Sequence, residues 1–151
     1  MIKIKRLNHA VLFVSDLERS VKFYTTVFEF TVVAREGSQA AFLRAKDSDN
    51  HHDLGLFSIG AQAKRPVPGS TGLYHLAWQV GSIQNLFAAR EALAKANALS
   101  GESDHGATKS VYGFDPDGNE FEVMYLLPRE QWGEYEGHAP VLPLNWKKEL
   151  K

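Results

Sequence analysis

The 151-residue chain contains no cysteine. This absence excludes disulfides, thiolate metal ligands and a cysteine nucleophile, and it is typical of a reducing compartment. The chain also lacks a charge imbalance, because 17 Lys and Arg against 18 Asp and Glu give a formal net charge of -1. No basic footprint for nucleic acid, no membrane-spanning run of ~20 apolar residues and no signal-peptide segment is present. We therefore expect a cytoplasmic protein that binds neither nucleic acid nor membrane.

The residues that are present suit one domain with a continuous core, since 44% of them are hydrophobic. In the first half, Ser15 or Asp16 can cap a helix whose apolar residues recur at helical spacing. Alternating or apolar runs predict strands around it. The predicted elements of this half are a strand at 7–14, a helix at 17–28 and strands at 30–34, 40–44 and 53–58.

The second half repeats this order after a linker at 60–72 that is rich in Pro and Gly. Ser82 is the expected helix cap, and the tetrad Asp115-Pro116-Asp117-Gly118 predicts a hairpin turn. The predicted elements are a strand at 73–80, a helix at 83–93, a Gly/Ser-rich loop at 100–103 and strands at 110–114 and 121–127. A tail at 128–151 follows, and we expect its prolines and aromatic residues to pack on the domain or on a partner subunit.

A histidine stands at the same place in the opening strand of each half, His9 in the first and His75 in the second. An internal repeat of this kind constrains the fold more than any single element. Two half-sheets, each with one bare face, can close over a shared cleft. We therefore predict an α+β fold of two βαβββ modules, at about 5–59 and 73–127, whose sheets form a half-open barrel around a metal cleft.

The two histidines and Glu122 are the residues best suited to hold a metal ion. His9 taken alone is more often a core histidine, but the equivalent position of His75 raises the odds for both. Glu122 lies in an apolar strand, where an ionised carboxylate is costly without a partner, although a solvent-facing glutamate is the alternative. Two His and one carboxylate form the facial triad of non-haem Fe(II) sites, and Mn(II), Zn(II) or Ni(II) also suit these ligands.

Three segments of the chain form recognisable motifs: Asn8-His9-Ala10-Val11, Tyr74-His75-Leu76-Ala77 and Asp115-Pro116-Asp117-Gly118-Asn119-Glu120-Phe121-Glu122. With these motifs the chain resembles the vicinal-oxygen-chelate superfamily, which includes glyoxalase I, extradiol dioxygenases, bleomycin-resistance proteins, fosfomycin-resistance transferases and methylmalonyl-CoA epimerase. The resemblance covers roughly residues 5–127. It implies one divalent metal held by His9, His75 and Glu122, and a homodimer.

Three further residues resemble those of extradiol catechol dioxygenases. His52 is similar to their acid–base histidine, His105 to a histidine that orients the ligand set from outside it, and Tyr112 to the tyrosine that hydrogen-bonds a substrate oxygen. Each histidine alone could equally be a polar surface residue, and the stretch from His52 to His75 is longer than usual there. Together they imply a ring-cleaving dioxygenase, with Fe(II) favoured and an aromatic diol as substrate.

Other branches of the superfamily remain alternatives. A glyoxalase-like lyase or isomerase would use the same metal scaffold, but that branch expects a glutamate in the strand that ends the first half, where Asp53 is the only carboxylate. The fosfomycin branch expects a cationic cluster, for which Lys109 and Arg129 are the only candidates. A non-catalytic binding or resistance protein would lack the full triad. The residues leave open whether the triad comes from one chain or from two that exchange halves.

Overall fold

The computed structural model describes residues 1–65, 67 and 69–151, and Pro66 and Pro68 of the predicted linker lie outside the described residues. The chain divides into two compact units, Met1–Ser70 and Thr71–Lys151, which are called unit one and unit two. Across the described ranges, no helix has the length and apolar character that crossing a membrane would require.

Unit one is a four-stranded mixed sheet with one helix. The sheet order is β1-β4-β3-β2, in which β1 and β4 run parallel and the other neighbours antiparallel. The helix is capped as expected, because the Asp16 side chain accepts a hydrogen bond from the Arg19 backbone N–H at 3.0 Å. The elements are β1 (Ala10–Val14), α1 (Leu17–Val27), β2 (Thr31–Glu36), β3 (Ala40–Arg44) and β4 (Leu54–Ser58).

The core of unit one lies between α1 and one face of its sheet. Leu12 and Val14 of β1 are buried there, together with Tyr24 of α1. The alternate residues of β1 point the other way, so Val11 and Phe13 are 51% and 67% exposed. His9 precedes them in the same alternation and is also exposed. It is therefore not a core histidine.

Unit two repeats this architecture and adds the C-terminal residues. Its sheet order is β5-β8-β7-β6, again with the first and last strands of the unit parallel. The predicted α+β fold with an internal βαβββ repeat is confirmed, while the half-open barrel stays a prediction. The elements are β5 (Leu76–Val80), α2 (Ile83–Lys95), β6 (Leu99–Asp104), β7 (Thr108–Phe114), β8 (Glu120–Leu126) and α3 (Trp146–Glu149), with short 3-10 helices at Arg129–Gln131 and Gly133–Glu136.

The turn between β7 and β8 is the predicted hairpin. Oδ1 of the buried Asp115 accepts hydrogen bonds from the backbone N–H groups of Asp117 and Asn119 at 2.9 and 2.8 Å. Gly118 has a φ of 83°, a left-handed conformation that glycine adopts without steric cost. This turn fixes the register of β7 against β8 and hence places Tyr112 directly opposite Glu122.

Two predictions of local structure are wrong. The segment 100–103 is part of β6, not a loop, because its backbone pairs with β7 although its side chains are small or polar. The opening strands are also shorter than predicted, since ladder pairing begins at Ala10 and Leu76. His9 and His75 therefore stand one residue before their strands, at the same position in each unit.

The C-terminal residues pack against unit two. Leu142 forms an antiparallel bridge with Asp104 at the end of β6. The indole Nε1 of Trp146 donates to Glu102 Oε2 at 2.6 Å, and the indole ring contacts Phe87 of α2 with centroids 5.2 Å apart. The tail is thus anchored on β6 and α2 of its own unit.

Candidate active site

The parallel pairing of β5 and β8 brings His75 and Glu122 together. Ala77 lies opposite Glu122 in the register, so the histidine that precedes β5 reaches the carboxylate. Nε2 of His75 is 3.1 Å from Oε2 of Glu122, and the two side chains are 25% and 12% exposed. Two of the three predicted metal ligands are therefore neighbours within unit two.

The His75–Glu122 pair fits a divalent cation in distance and in charge. Ligands at right angles on bonds of about 2.1 Å are about 3.0 Å apart, close to the separation of Nε2 and Oε2. A half-buried carboxylate also favours a cation beside it. His75 Nδ1 is buried and has no hydrogen-bond partner among the described residues. A cation bound to Nε2 would leave the imidazole hydrogen on Nδ1. Metal-bound histidines usually donate that N–H to an acceptor, and the described residues provide none for His75.

Ser110 is a supporting residue that the sequence did not reveal. Its hydroxyl donates a hydrogen bond to Glu122 Oε1, the oxygen that faces away from His75. Ser110 is fully buried and lies two residues before Tyr112 on β7, on the same face of the strand. The alternation of side chains along a strand is the sequence signal that could have placed Ser110 beside Tyr112. With Oε1 held by the hydroxyl, Oε2 is left to face the imidazole.

Tyr112 and His105 extend this network in unit two. The Tyr112 hydroxyl lies 2.8 Å from His105 Nε2 and 3.3 Å from Glu122 Oε1. Burial, and next the Glu122 carboxylate, raise the pKa of Tyr112 to about 12. The phenol is therefore protonated at neutral pH and carries a hydrogen to donate.

His105 has a second contact that no sequence pattern indicated. Its Nδ1 lies 2.6 Å from the backbone carbonyl oxygen of Pro140, in the C-terminal tail. A backbone carbonyl leaves no trace in residue identity, and the two residues are 35 positions apart. The tail thus reaches the network that supports Glu122.

In unit one, His9 is oriented in the manner of a metal ligand. Its Nδ1 lies 2.9 Å from the side-chain carbonyl oxygen of Asn8, and Nδ2 of Asn8 donates to Asn50 Oδ1 at 3.2 Å. Because that amide is held with its carbonyl toward the ring, His9 donates from Nδ1 and Nε2 keeps its lone pair. This is the tautomer that metal-binding histidines adopt.

His52, the predicted acid–base residue, lies beside His9. Their ring centroids are 4.4 Å apart, and the centroid of Phe42 is 5.0 Å from that of His52. Partial burial, and next the rings of His9 and His51, lower the pKa of His52 below its ordinary value, although Asp53 opposes the shift. A neutral imidazole is the form that can accept a proton.

Asp53 has a structural role in the turn before β4. It is 9% exposed and accepts hydrogen bonds from the Ala45 backbone N–H, the Ser48 hydroxyl and the Asn50 amide at 2.8, 2.8 and 2.7 Å. Burial raises the pKa of this carboxyl, but the three donors outweigh burial and hold it below its ordinary value. Both carboxylate oxygens are thus engaged with the protein.

The three predicted ligands are divided between the units. Within the described residues of either unit, no three His, Cys, Asp or Glu side chains are grouped closely enough to hold an ion. The complete ligand set therefore stays a prediction. His9 and His52 lie in unit one, and His75, His105, Tyr112 and Glu122 lie in unit two.

Comparison with known proteins identifies the family. The family model of the Glyoxalase/Bleomycin resistance protein/Dioxygenase superfamily matches residues 6–123, which is most of the chain. The chain belongs to this superfamily. The match spans both βαβββ units up to β8 and ends before the C-terminal tail.

Relatives within the superfamily differ in chemistry. The chain is 31% identical over 127 residues to a catechol-2,3-dioxygenase of Bacillus subtilis, covering 83% of this chain but only 43% of that protein. It is 27% identical over 124 residues to the metallothiol transferase FosB of Lysinibacillus sphaericus, covering 79% of this chain and 81% of the relative. The crystal structure of a glyoxalase/dioxygenase from Nostoc punctiforme superposes with a TM-score of 0.68 at 20% identity, covering 82% of this chain and 92% of that one. That last likeness is one of fold.

The named relatives in the superfamily are mostly enzymes. One of the solved structures with this fold, a mutant of the fosfomycin resistance protein FosX from Listeria monocytogenes, is complexed with Mn(II). The His75–Glu122 pair and the orientation of His9 agree with such a metal. The choice of metal and reaction is a separate question.

Proposed function

We propose that this chain is a metal-dependent ring-cleaving dioxygenase of the extradiol type, with Fe(II) as its metal and an aromatic diol as its substrate. The observation that carries the proposal is the connected network in unit two. There the His75–Glu122 pair is supported by Tyr112 and His105, which are the residues that the dioxygenase resemblance implies. The likeness to a catechol-2,3-dioxygenase over most of this chain supports the same branch.

In this proposal His9, His75 and Glu122 hold the cation. A bound Fe(II) supplies Lewis acidity that lowers the pKa of a substrate hydroxyl, together with the redox chemistry that cleavage by O2 requires. Ser110 keeps Glu122 in the orientation that directs Oε2 toward His75. The protein thereby holds the carboxylate in place before any substrate arrives.

The remaining residues handle the substrate and its protons. Tyr112, protonated and hydrogen-bonded to His105, is placed to contact a substrate oxygen. His52, with its lowered pKa, is neutral near pH 7 and can accept the proton of a diol hydroxyl. Phe42 beside His52 offers an apolar surface that suits an aromatic ring.

The test is oxygen consumption with a panel of catechols. The protein is loaded with Fe(II) under anaerobic conditions, mixed with each diol, and exposed to O2. We expect oxygen uptake and a yellow ring-opened product. Glu122→Gln should abolish both, whereas Glu120→Gln, two residues earlier on β8, should retain them. No oxygen uptake with any diol would refute the dioxygenase assignment while leaving the metal site open.

A second candidate is a lyase, isomerase or thiol transferase on the same metal. The likeness to a metallothiol transferase over 81% of that relative's length favours it. Against the glyoxalase version, both oxygens of Asp53 are occupied by hydrogen bonds, so the carboxylate nearest to the expected fourth ligand position is engaged elsewhere. A reaction that turns over equally well without O2, with Ni(II) or Mn(II), would favour this candidate.

We also propose a homodimer, as the resemblance implies, and a cytoplasmic location, which the lack of cysteine favours. Light scattering coupled to size-exclusion chromatography would give the mass in solution. A mass equal to that of one 16.9 kDa chain would contradict the dimer.

A further inference from the structure

The C-terminal segment, defined as residues 128–151, is held against unit two near His105. Leu142 exchanges two backbone hydrogen bonds with Asp104, with N···O distances of 3.0 and 2.8 Å. The Tyr135 ring lies so close to Gly106 that an added Cβ there would come within 2.2 Å of it. His105 thus stands between two residues that the C-terminal segment contacts.

The contacts of His105 determine where its hydrogen atoms are. Pro140 offers only a carbonyl oxygen, which accepts hydrogen bonds, so Nδ1 of His105 must be the donor across 2.6 Å. In a neutral imidazole Nε2 is then an acceptor, and the hydroxyl of Tyr112 donates to it across 2.8 Å. A single phenol hydrogen cannot also be donated to Glu122, whose oxygen is farther away at 3.3 Å.

We propose that the C-terminal segment is a positioning element of the candidate active site. The Pro140 carbonyl holds His105 in the tautomer protonated on Nδ1, and His105 in turn directs the Tyr112 hydrogen away from Glu122. The Tyr112 oxygen then presents lone pairs that can accept a hydrogen bond from a substrate hydroxyl. Glu122 Oε1 keeps the Ser110 hydroxyl as its donor.

The segment is anchored well enough to fix this carbonyl. Trp146 contributes a hydrogen bond to Glu102, whose other oxygen accepts from Arg90 of α2 at 2.6 Å. Together with the Leu142 bridge, this places an anchor beyond Pro140 in the chain, while the Tyr135 contact lies before it. The family match ends at residue 123, so the C-terminal segment lies outside the matched residues.

The tautomer can be measured without substrate or metal. Long-range 1H–15N correlation spectra of the histidine-labelled protein distinguish the two neutral imidazole tautomers, and a pH of about 8 keeps ordinary imidazoles neutral. His105→Gln identifies the signal among the six histidines of the chain. We expect His105 to carry its proton on Nδ1. A proton on Nε2, or an average of both tautomers, would overturn the proposal.

A variant of the segment tests the cause. Leu142→Pro removes the N–H that donates to Asp104, and we expect the His105 signal to change toward a mixture of tautomers. Val141→Ala, at a residue that is 77% exposed between Pro140 and Leu142, is the matched control and should leave the signal unchanged. If circular dichroism shows that Leu142→Pro does not fold, Trp146→Phe serves instead, since it removes the N–H that donates to Glu102 and keeps an aromatic ring beside Phe87. An unchanged His105 signal in the folded variant would overturn the role of the segment.

The catalytic part of this inference rests on the proposed function. If ring cleavage is observed, Leu142→Pro should lower kcat roughly 10-fold to 100-fold, as removing an orienting contact does, with a smaller change in KM. If no diol is cleaved, the tautomer measurement still decides the structural part. If diols are cleaved but His105 is protonated on Nε2, only the role of the segment is refuted.

Discussion

Asp53 provides the sharpest test of what holds the turn before β4 in unit one. Its carboxylate accepts three hydrogen bonds from the segment between β3 and β4, and its own backbone carbonyl accepts one from Ala10 at the start of β1. Asp53→Asn keeps the size of the side chain and removes its charge. In the better amide orientation, one oxygen still accepts from Ser48 and Asn50, while the new NH2 group faces the N–H of Ala45.

The cost follows from these contacts. The half-buried Ala45 N–H loses its acceptor, which costs about 1 kcal/mol, the lower end of the range for buried groups. The two remaining hydrogen bonds each lose about 1 kcal/mol, the difference between a charged and a neutral acceptor. We therefore expect Asp53→Asn to lower the free energy of unfolding by about 3 kcal/mol at pH 7. The control is Asp47→Asn, an exposed aspartate of the same segment, for which we expect less than about 0.5 kcal/mol.

The pH dependence of this loss has a definite sign. The pKa of Asp53 is lowered in the folded protein, so its stabilisation is present above the unfolded value of ~3.9 and is lost as the pH falls through the folded pKa. The difference between the original protein and Asp53→Asn should therefore narrow below about pH 4. A constant difference from pH 7 to pH 2 would contradict the assigned role of the charge.

The measurement is urea unfolding followed by far-UV circular dichroism. Tryptophan fluorescence is unsuitable, because all three tryptophans lie in unit two. Metal affinity, measured by chelator competition in the same variants, separates two roles of Asp53. A hydrogen-bonded structural carboxylate predicts lower stability with little change in affinity. If Asp53 were instead a metal ligand, as the glyoxalase branch would use at this strand, the substitution would weaken metal binding with little change in stability. That result would refute the reasoning.

Three further substitutions test unit two. Ser110→Ala removes the donor to Glu122, and we expect metal binding about 10-fold to 100-fold weaker in a chelator competition; unchanged affinity would contradict its supporting role. Tyr112→Phe should lower kcat at least about 10-fold at unchanged metal affinity, and the original enzyme should show no tyrosine inflection below about pH 10, because the pKa of Tyr112 is about 12. Gly113→Ala should cost about 1–3 kcal/mol in thermal or urea unfolding, since its Cβ would come within 2.6 Å of a backbone carbonyl, whereas Gly101→Ala, with 3.9 Å of room, should be near neutral.

The sequence predicted the elements that carry their own local signal. The helix capped by Asp16 begins where expected because the cap and the apolar spacing are both local features. The hairpin around Gly118 was predictable for the same reason. The strand β6 was missed because small and polar side chains do not alternate, and its stability comes from backbone pairing with β7.

The site was predictable in its ligands but not in its supports. His75 and Glu122 could be nominated by residue type and resemblance, and their contact then follows from the parallel pairing of β5 and β8. The carbonyl of Pro140 could not be found, because backbone atoms have no residue-type signature and its distance along the chain from His105 has no local pattern. Asp53 was weighed as a ligand, although its three donors become visible only once the turn before β4 is folded.

The supports have one property in common, which is that each lies in the same unit as the residue that it orients. The orientation of His9 is set by Asn8, that of Glu122 by Ser110, and that of His105 by Pro140, and each pair lies within a single unit. The orientation of His9 is therefore set by the folding of unit one, and those of Glu122 and His105 by the folding of unit two. In the proposed metal site, side chains that are already oriented would lose less entropy on binding a cation. Two chains of this superfamily with the same three ligands can differ in chemistry through these supports, because the supports determine which atoms face the substrate.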